Sequence, residues 1–186
     1  MPGFAEAWRS LRPLAMNASL PASGISADAR RSSRVRLAGF AAATAAAGAA
    51  GAIASRRGIR VWYRFLRKPP FQPPPQAFAP VWTALYALMA YSAWRVSEAP
   101  DSNARRRALG LWWTQLALNA AWSPLFFGLR RPRLALADLA LLLAAIGGYT
   151  AAARRVDRTA AAAMTPYLAW TLFAGVLNEE IVRRNR

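Results

Sequence analysis

The sequence predicts an all-α integral membrane protein, namely a five-transmembrane-helix bundle with an ordered proline-rich loop between helices 1 and 2. Hydrophobic residues make up 55% of the 186 residues. They fall in long uncharged blocks rather than in the periodic scatter of a soluble helix. Arginines cluster between these blocks, as cations do at a membrane–water boundary. We therefore expect the arginines that give the net charge of +17 to lie at the membrane boundaries. Nucleic-acid binding is disfavoured.

The amino-terminal segment differs from the rest of the chain because it has little hydrophobic periodicity. We expect residues 1–34 to be a disordered or targeting extension and residues 35–186 to form the transmembrane domain. A further alternative is a twin-arginine signal at Arg30 and Arg31 with cleavage near Ala54. The uncharged run that follows the arginine pair is long enough to cross a bilayer, which favours a first transmembrane helix instead.

Five helices are predicted from the uncharged runs. They span residues 37–55, 78–96, 109–129, 134–153 and 159–177. The connections among the later helices are short, so consecutive helices should be antiparallel neighbours. Pro124 and Pro166 should bend helices 3 and 5. Arginine counts on the two sides nearly balance, so the positive-inside rule assigns neither orientation nor membrane.

The loop between helices 1 and 2 contains five of the thirteen prolines, between Pro69 and Pro75. Proline fixes φ and removes a backbone donor, so this segment cannot be helical. It is preceded by the aromatic pair Trp62 and Tyr63 and by Lys68. These residues predict an ordered loop that caps the bundle.

Several kinds of chemistry are excluded by composition. There is no cysteine and no histidine, which removes disulfides, thiolate and imidazole catalysis, and the usual zinc or haem ligands. No phosphate-cradling or paired-carboxylate motif occurs, so no metal site, no cofactor and no conventional enzyme mechanism is predicted. Asp138 is an intramembrane acid and a functional candidate. It lies about one turn from Arg130 and Arg133, so we expect a structural ion pair.

Helical spacing places the unusual residues in one half of the bilayer. Trp82, Trp122 and Trp170 should lie roughly 6 to 11 Å deep, with Asn119 one turn deeper. The helix faces that carry these residues can converge into an aromatic cavity with few polar groups. A cavity of this kind suits a large, flat, apolar ligand. The alternatives are an interfacial tryptophan belt and an interhelical hydrogen bond by Asn119.

Five stretches of the chain match a known family in order and spacing. They are WY…LRKPPFQPP (62–74), FAPVWTALYALMAYSAW (78–94), QLALNAAWSPLFFG (115–128), ALADL (135–139) and PYLAWTLFAGVLN (166–178). With them, residues 35–186 resemble a bacterial-type member of the tryptophan-rich sensory protein or translocator protein family, also called the peripheral-type benzodiazepine receptor family. The resemblance implies a five-helix membrane bundle, often a homodimer, that binds porphyrins such as protoporphyrin IX.

The resemblance also implies which residues bind the ligand. These are Tyr63, Trp82, Tyr86, Asn119, Trp122, Ser123, Trp170 and Ala174. Trp82 and Trp170 correspond to tryptophans that bacterial relatives use in light-dependent porphyrin breakdown. Glu179 and Glu180 replace the tyrosine pair of animal members, so sterol binding is not expected.

Three hypotheses of function follow. The first is a receptor or transporter-like protein that binds tetrapyrroles and similar flat apolar ligands in the aromatic pocket. The second is a light-dependent porphyrin-degrading enzyme that uses Trp82 and Trp170. The third is a structural membrane scaffold whose aromatic residues only form the core. No proton relay or inverted repeat is evident, so binding is favoured over coupled transport.

Overall fold

The computed structural model describes residues 27–186, and this part of the chain is helical and contains no strand. The helices are α1 Ala27–Val61, α2 Pro75–Glu98, α3 Asn103–Ser123, α4 Pro132–Arg154, α5 Arg158–Ala163 and α6 Thr165–Arg184. A 3₁₀ turn, Tyr63–Phe65, follows α1, and a π turn, Pro124–Gly128, continues α3. Met164 alone separates α5 from α6, and these two helices together correspond to the fifth predicted helix.

Helix α1 begins at Ala27, earlier than the expected boundary after residue 34. Its first turns are fixed against the end of α2. Trp94 Nε1 donates to Ser33 Oγ at 3.0 Å, and Arg36 Nε donates to Glu98 Oε1 at 2.8 Å. These tertiary contacts explain why an arginine-rich segment without hydrophobic periodicity is helical here. The rest of the predicted extension, residues 1–26, lies outside the described residues.

Three helical segments are long and apolar enough to cross a membrane by length and composition: α1, α4 and the segment Arg158–Arg184. Helices α2 and α3 have comparable lengths but carry tryptophan, tyrosine, asparagine and glutamine side chains. These side chains lower the mean hydropathy of a helix even where they face its neighbours. The prediction of five crossings is therefore confirmed in part.

The helices pack as a closed bundle. Helix α1 lies against α2 and α3, α3 packs along α4, α4 contacts α6, and α2 contacts α5. The largest fully buried side chains include Met89, Trp112, Tyr149 and Tyr167. The consecutive helices α3 and α4 are in contact at Leu111 and Gly148.

Buried polar groups link the helices, since apolar surroundings offer backbone and side-chain groups no water. Trp112 Nε1 donates to the carbonyl of Met89 at 3.0 Å. Ser92 Oγ donates to the carbonyl of Ala160 at 2.7 Å and lies 2.6 Å from the Tyr149 hydroxyl. Because the Ser92 hydrogen is used, Tyr149 is the donor in the second bond. Helices α2, α3, α4 and α5 are thereby connected.

Pro124 and Pro166 each lie where a helix changes. Pro124 opens the π turn, in which Leu129 N donates to Pro124 O at 2.8 Å. Proline cannot donate to the preceding turn, which favours this local widening. Pro166 lies in the first turn of α6, directly after the break at Met164.

The proline-rich loop is held by contacts within itself and by hydrogen bonds to the end of α6. The Tyr63 hydroxyl donates to Gln72 Oε1 at 2.9 Å, and Lys68 Nζ lies 5.0 Å from the centre of the Tyr63 ring. Arg67 N donates to Asn185 Oδ1 at 2.9 Å, and Asn185 Nδ2 donates to Arg67 O at 3.0 Å. The loop therefore bridges the end of α1 and the end of α6.

Gly58 allows α1 to approach the π turn closely. A Cβ at Gly58 would lie 2.3 Å from the carbonyl oxygen of Phe127, whereas a Cβ at Gly39 would meet nothing within 4 Å. We predict that Gly58→Ala lowers the thermal unfolding midpoint, because the helix must move away from a backbone atom. Gly39→Ala, the matched control in the same helix, should leave the midpoint unchanged or raise it, as alanine favours helix by up to about 1 kcal/mol. Equal midpoints for the two variants would contradict the close approach.

Asp157 links α2 to the start of α5. Its carboxylate accepts from Arg95 Nε at 2.8 Å and from Ala160 N at 2.9 Å. Burial alone would raise the pKa of Asp157, but these hydrogen bonds outweigh burial and lower the pKa below its usual value. The carboxylate therefore stabilises the fold above the unfolded-state pKa of about 4, and this stability is lost as the pH falls through the lower folded-state pKa.

We predict that Asp157→Asn, which keeps a helix-capping side chain, lowers the free energy of unfolding at pH 7 by up to about 1 kcal/mol. It should also flatten the fall in stability below pH 4. Asp101→Asn is the control, since Asp101 is an exposed ion-pair partner and solvent screens such pairs. An acid limb that is identical in wild type and Asp157→Asn would contradict the assignment.

Candidate functional site

Asn119 is the point at which three helices are joined by side chains. It is 8% exposed and lies on α3. Its Oδ1 accepts from the Tyr86 hydroxyl of α2 at 3.0 Å, and its Nδ2 donates to the Tyr167 hydroxyl of α6 at 3.0 Å. The amide thus makes the interhelical bonds that the sequence analysis gave as the alternative to ligand contact.

Aromatic rings surround this amide. The Trp82 ring lies 5.3 Å from the Tyr86 ring, at 32°, and 6.3 Å from the Tyr167 ring, at 64°. The Tyr86 ring rests on α1 at Gly48, where an added Cβ would lie 2.8 Å from its Cε2 atom. We call Trp82, Tyr86, Asn119 and Tyr167 the Asn119 cluster. It combines aromatic rings with one amide and two hydroxyl groups.

Trp170 and Ala174 lie further along α6. The Trp170 ring is 5.8 Å from Phe78 and 5.6 Å from Phe173. Ala174 packs against the main core. Within residues 27–186, no ring contact joins Trp170 to Trp82. The structure therefore links Trp82 to Asn119 through Tyr86, whereas Trp170 and Ala174 lie further along α6.

Tyr63 and Trp122 belong to a second group, beneath the proline-rich loop. The Trp122 ring stacks on Phe126 at 5.0 Å and 20°. The Tyr63 ring lies 5.9 Å from Phe126 and 5.3 Å from Phe127. We call Tyr63, Trp122, Phe126 and Phe127 the loop cluster. Tyr63 and Trp122 thus meet through Phe126, which is buried.

Ser123 lies on the side of α3 that faces α1. A Cβ at Gly51 would lie 3.3 Å from Ser123 Oγ. Ser123 is thus placed at the contact between α1 and α3, and the hydroxyl takes no part in the hydrogen bonds of the Asn119 cluster.

Among the buried polar atoms near these clusters, two from α3 and α4 are of particular interest because they have no hydrogen-bond partner in the described part of the chain. They are Trp122 Nε1 and Asp138 Oδ2. The expected ion pair between Asp138 and the nearby arginines does not form among residues 27–186. Asp138 is buried within the bundle, whereas Arg130 and Arg133 are exposed, because long cationic side chains extend towards the membrane surface.

Sequence reasoning did not assign Tyr167 and Phe126 to the site. Tyr167 is fully buried and completes the hydrogen bonds of Asn119. Its position three residues before Trp170 on the same helical face was the available signal. Phe126 shares a helical face with Asn119 and Trp122. Its ring contacts both Trp122 and Tyr63.

The rings of the Asn119 cluster pack on one another. Two surface concavities, of about 450 and 470 Å³, lie beside the first turns of α1. They are lined mainly by small residues and by Arg30, Arg31, Arg34 and Arg36.

The chemistry that the two clusters can offer is recognition. Aromatic faces stack on flat apolar molecules, and the few hydroxyl, amide and indole N–H groups can orient them. In residues 27–186, no group of three acidic side chains that could hold a metal ion occurs.

Comparison with known proteins agrees with this architecture. Residues 40–184 match the TspO/MBR family. The chain is 42% identical to the translocator protein of Bos taurus over 128 residues, which are 67% of this chain and 75% of the relative. It is 39% identical to the tryptophan-rich protein TspO of Archaeoglobus fulgidus over 147 residues, 77% of this chain and 92% of the relative.

A third relative is the protein CrtK of Rhodobacter capsulatus, with 38% identity over 144 residues, 77% of this chain and 88% of the relative. The family match covers most of the described residues, including α2 to α6 in full. Together with the long apolar helices, it makes the protein an integral, multi-pass membrane protein. The chain belongs to the TspO/MBR family.

Proposed function

We propose that this protein binds tetrapyrroles such as protoporphyrin IX, and similar flat apolar ligands, at the Asn119 cluster and the adjoining loop cluster. The proposal rests on the arrangement of three aromatic rings around the Asn119 amide of α3. Two of the rings, Trp82 and Tyr86, are on α2, and the third, Tyr167, is on α6. Aromatic rings supply the stacking surface, and the amide and hydroxyl groups supply orientation.

The proposed site includes the residues that the family resemblance implies. Trp170 and Ala174 would form its side on α6, and Tyr63, Trp122 and Ser123 its side near the loop. Lys68, placed over the Tyr63 ring, and the neighbouring arginines would pair with carboxylates at the edge of a porphyrin. The ligand would enter by displacing the Trp82 and Tyr86 rings from their present packing.

The proposed membrane arrangement has five crossings, with α2 and α3 as the two that hydropathy alone does not identify. Their polar and aromatic residues are mostly turned towards other helices, as Trp112 and Asn119 show, which lets such helices reside in a bilayer. We also propose that residues 35–186 form one transmembrane domain, and that the protein assembles as a homodimer, as the family resemblance implies.

Sterols are not proposed as ligands. Glu180 is 7% exposed, and its carboxylate pairs with Arg183 at 2.7 Å and Arg184 at 2.6 Å. An ion-paired acid at this end of α6 is a poor neighbour for an apolar sterol ring.

A second candidate is light-dependent porphyrin breakdown. The observation that favours it is the contiguity of oxidisable rings, since Trp82 lies within 6.3 Å of both Tyr86 and Tyr167. In that case Trp82 and Trp170 would take part in the photo-oxidation of a bound porphyrin.

We predict that protoporphyrin IX quenches the tryptophan fluorescence of the purified protein saturably in the dark. Trp82→Phe and Trp170→Phe should each weaken the affinity about threefold to tenfold, because a smaller ring stacks less well. Trp113→Phe is the matched control, since Trp113 is 52% exposed and belongs to neither cluster. No saturable quenching, or equal affinities in all three variants, would contradict the proposed site and favour a scaffold.

Illumination of the same samples separates the two candidate functions. Bound porphyrin that keeps its absorbance under light favours a receptor or carrier. Bleaching that is fast in wild type and in Trp113→Phe but slow in Trp82→Phe or Trp170→Phe favours the degradative enzyme.

A further inference from the structure

The Asp138 carboxylate is buried in the bundle, and its Oδ2 atom lacks a hydrogen-bond partner among residues 27–186. Asp138 is 7% exposed, and within residues 27–186 its Oδ2 atom has no hydrogen-bond donor. A buried acceptor without a donor destabilises the folded state, and an ionisable group within membrane helices is costly. The expected compensation by arginine is absent, as described above. The carboxylate is therefore available to a group that is not part of the described chain.

Asp138 lies at the same level of the bundle as the Asn119 cluster. Helices α3 and α4 are antiparallel, and Leu111 lies against Gly148. Equal steps along both helices from this contact place Asp138 level with Ala121, close to Asn119. The Asp138 carboxylate also interacts electrostatically with Tyr167, a member of the cluster on α6.

Within residues 27–186, no donor of the Asn119 cluster is hydrogen-bonded to Asp138 Oδ2. The Tyr86 hydroxyl donates to Asn119, and the Asn119 amide donates to Tyr167. The Tyr167 hydroxyl is near Asp138 but makes no hydrogen bond to it. One turn from Asn119, Gln115 is fully buried and neither of its side-chain amide atoms has a partner. Unsatisfied polar atoms are thus concentrated on both sides of Asn119.

We propose that Asp138 is a specificity-determining residue of the ligand site: its carboxylate accepts a hydrogen bond from an N–H or O–H group of the bound flat ligand. The proposal rests on the proposed function, because the ligand must first occupy the Asn119 cluster. It adds a chemical requirement that aromatic stacking alone does not impose. Among flat apolar molecules of similar size, those with a donor in the ring plane are preferred.

The experiment uses two flat tricyclic probes that differ in one donor, carbazole with an N–H group and 9-methylcarbazole without it. Each competes with protoporphyrin IX for the full-length protein in lipid nanodiscs, and the quenching of tryptophan fluorescence reports displacement. Carbazole should compete at least about tenfold better than 9-methylcarbazole in wild type, because its N–H group can satisfy the unpaired Asp138 Oδ2 atom and a methyl group cannot. The preference should disappear in Asp138→Leu and shrink in Asp138→Asn, which retains a neutral acceptor oxygen.

The outcomes distinguish a failure of the Asp138 role from a failure of the proposed function. Equal competition by both probes, or by neither, while protoporphyrin IX binds saturably overturns the role of Asp138 and leaves the proposed function intact. Failure of protoporphyrin IX to bind wild type overturns the proposed function itself. A preference for carbazole that persists unchanged in Asp138→Leu also overturns the role of Asp138.

Thermal stability distinguishes this role from a purely structural one. A carboxylate kept for the ligand destabilises the empty protein, so Asp138→Leu should raise the unfolding midpoint without ligand while it removes the preference for carbazole. If Asp138→Leu lowers the midpoint or fails to fold, and Asp138→Asn keeps the full preference, the carboxylate is structural and the proposal is overturned.

Discussion

The hydrogen bonds of the Asn119 amide are the interaction on which the central part of the bundle depends. One side chain satisfies the hydroxyl groups of Tyr86 and Tyr167 and so connects α2, α3 and α6. In apolar surroundings such groups have few other partners, so the bonds fix the relative positions of the three helices. The Trp82 ring and the close contact of Tyr86 with Gly48 follow from this arrangement.

The same interaction sets the condition for ligand binding. The rings that would hold a tetrapyrrole pack on each other in the structure, and Tyr86 is both a wall of the site and a donor to Asn119. In the proposed binding mode, internal stacking and the hydrogen bond from Tyr86 to Asn119 would be exchanged for contacts with the ligand. Asp138, Gln115 and Trp122 have buried polar atoms without hydrogen-bond partners. A bound ligand could supply partners for these atoms.

Much of the fold follows from composition and spacing, because uncharged runs and arginine clusters are local properties of the chain. The predicted helices and the prolines at Pro124 and Pro166 have clear counterparts in the structure. The start of α1 at Ala27 could not be predicted, because contacts of Ser33 and Arg36 with the distant end of α2 stabilise it. For the candidate site, spacing predicted that Trp82 and Asn119 lie in the same half of the bilayer, and the resemblance implied Tyr86. Neither predicted that Asn119 would bond Tyr167 or that Asp138 Oδ2 would remain unpaired. These features depend on how helices face one another, which periodicity within one helix does not determine.

The most direct test of this account is a double-mutant cycle for Tyr86→Phe and Tyr167→Phe, with the free energy of unfolding measured in mixed micelles. The two hydroxyl groups are linked through Asn119, so the account predicts that the double variant departs from the sum of the single variants by about 0.5 kcal/mol or more. Effects that add within about 0.3 kcal/mol would contradict the claim that the Asn119 amide couples these helices.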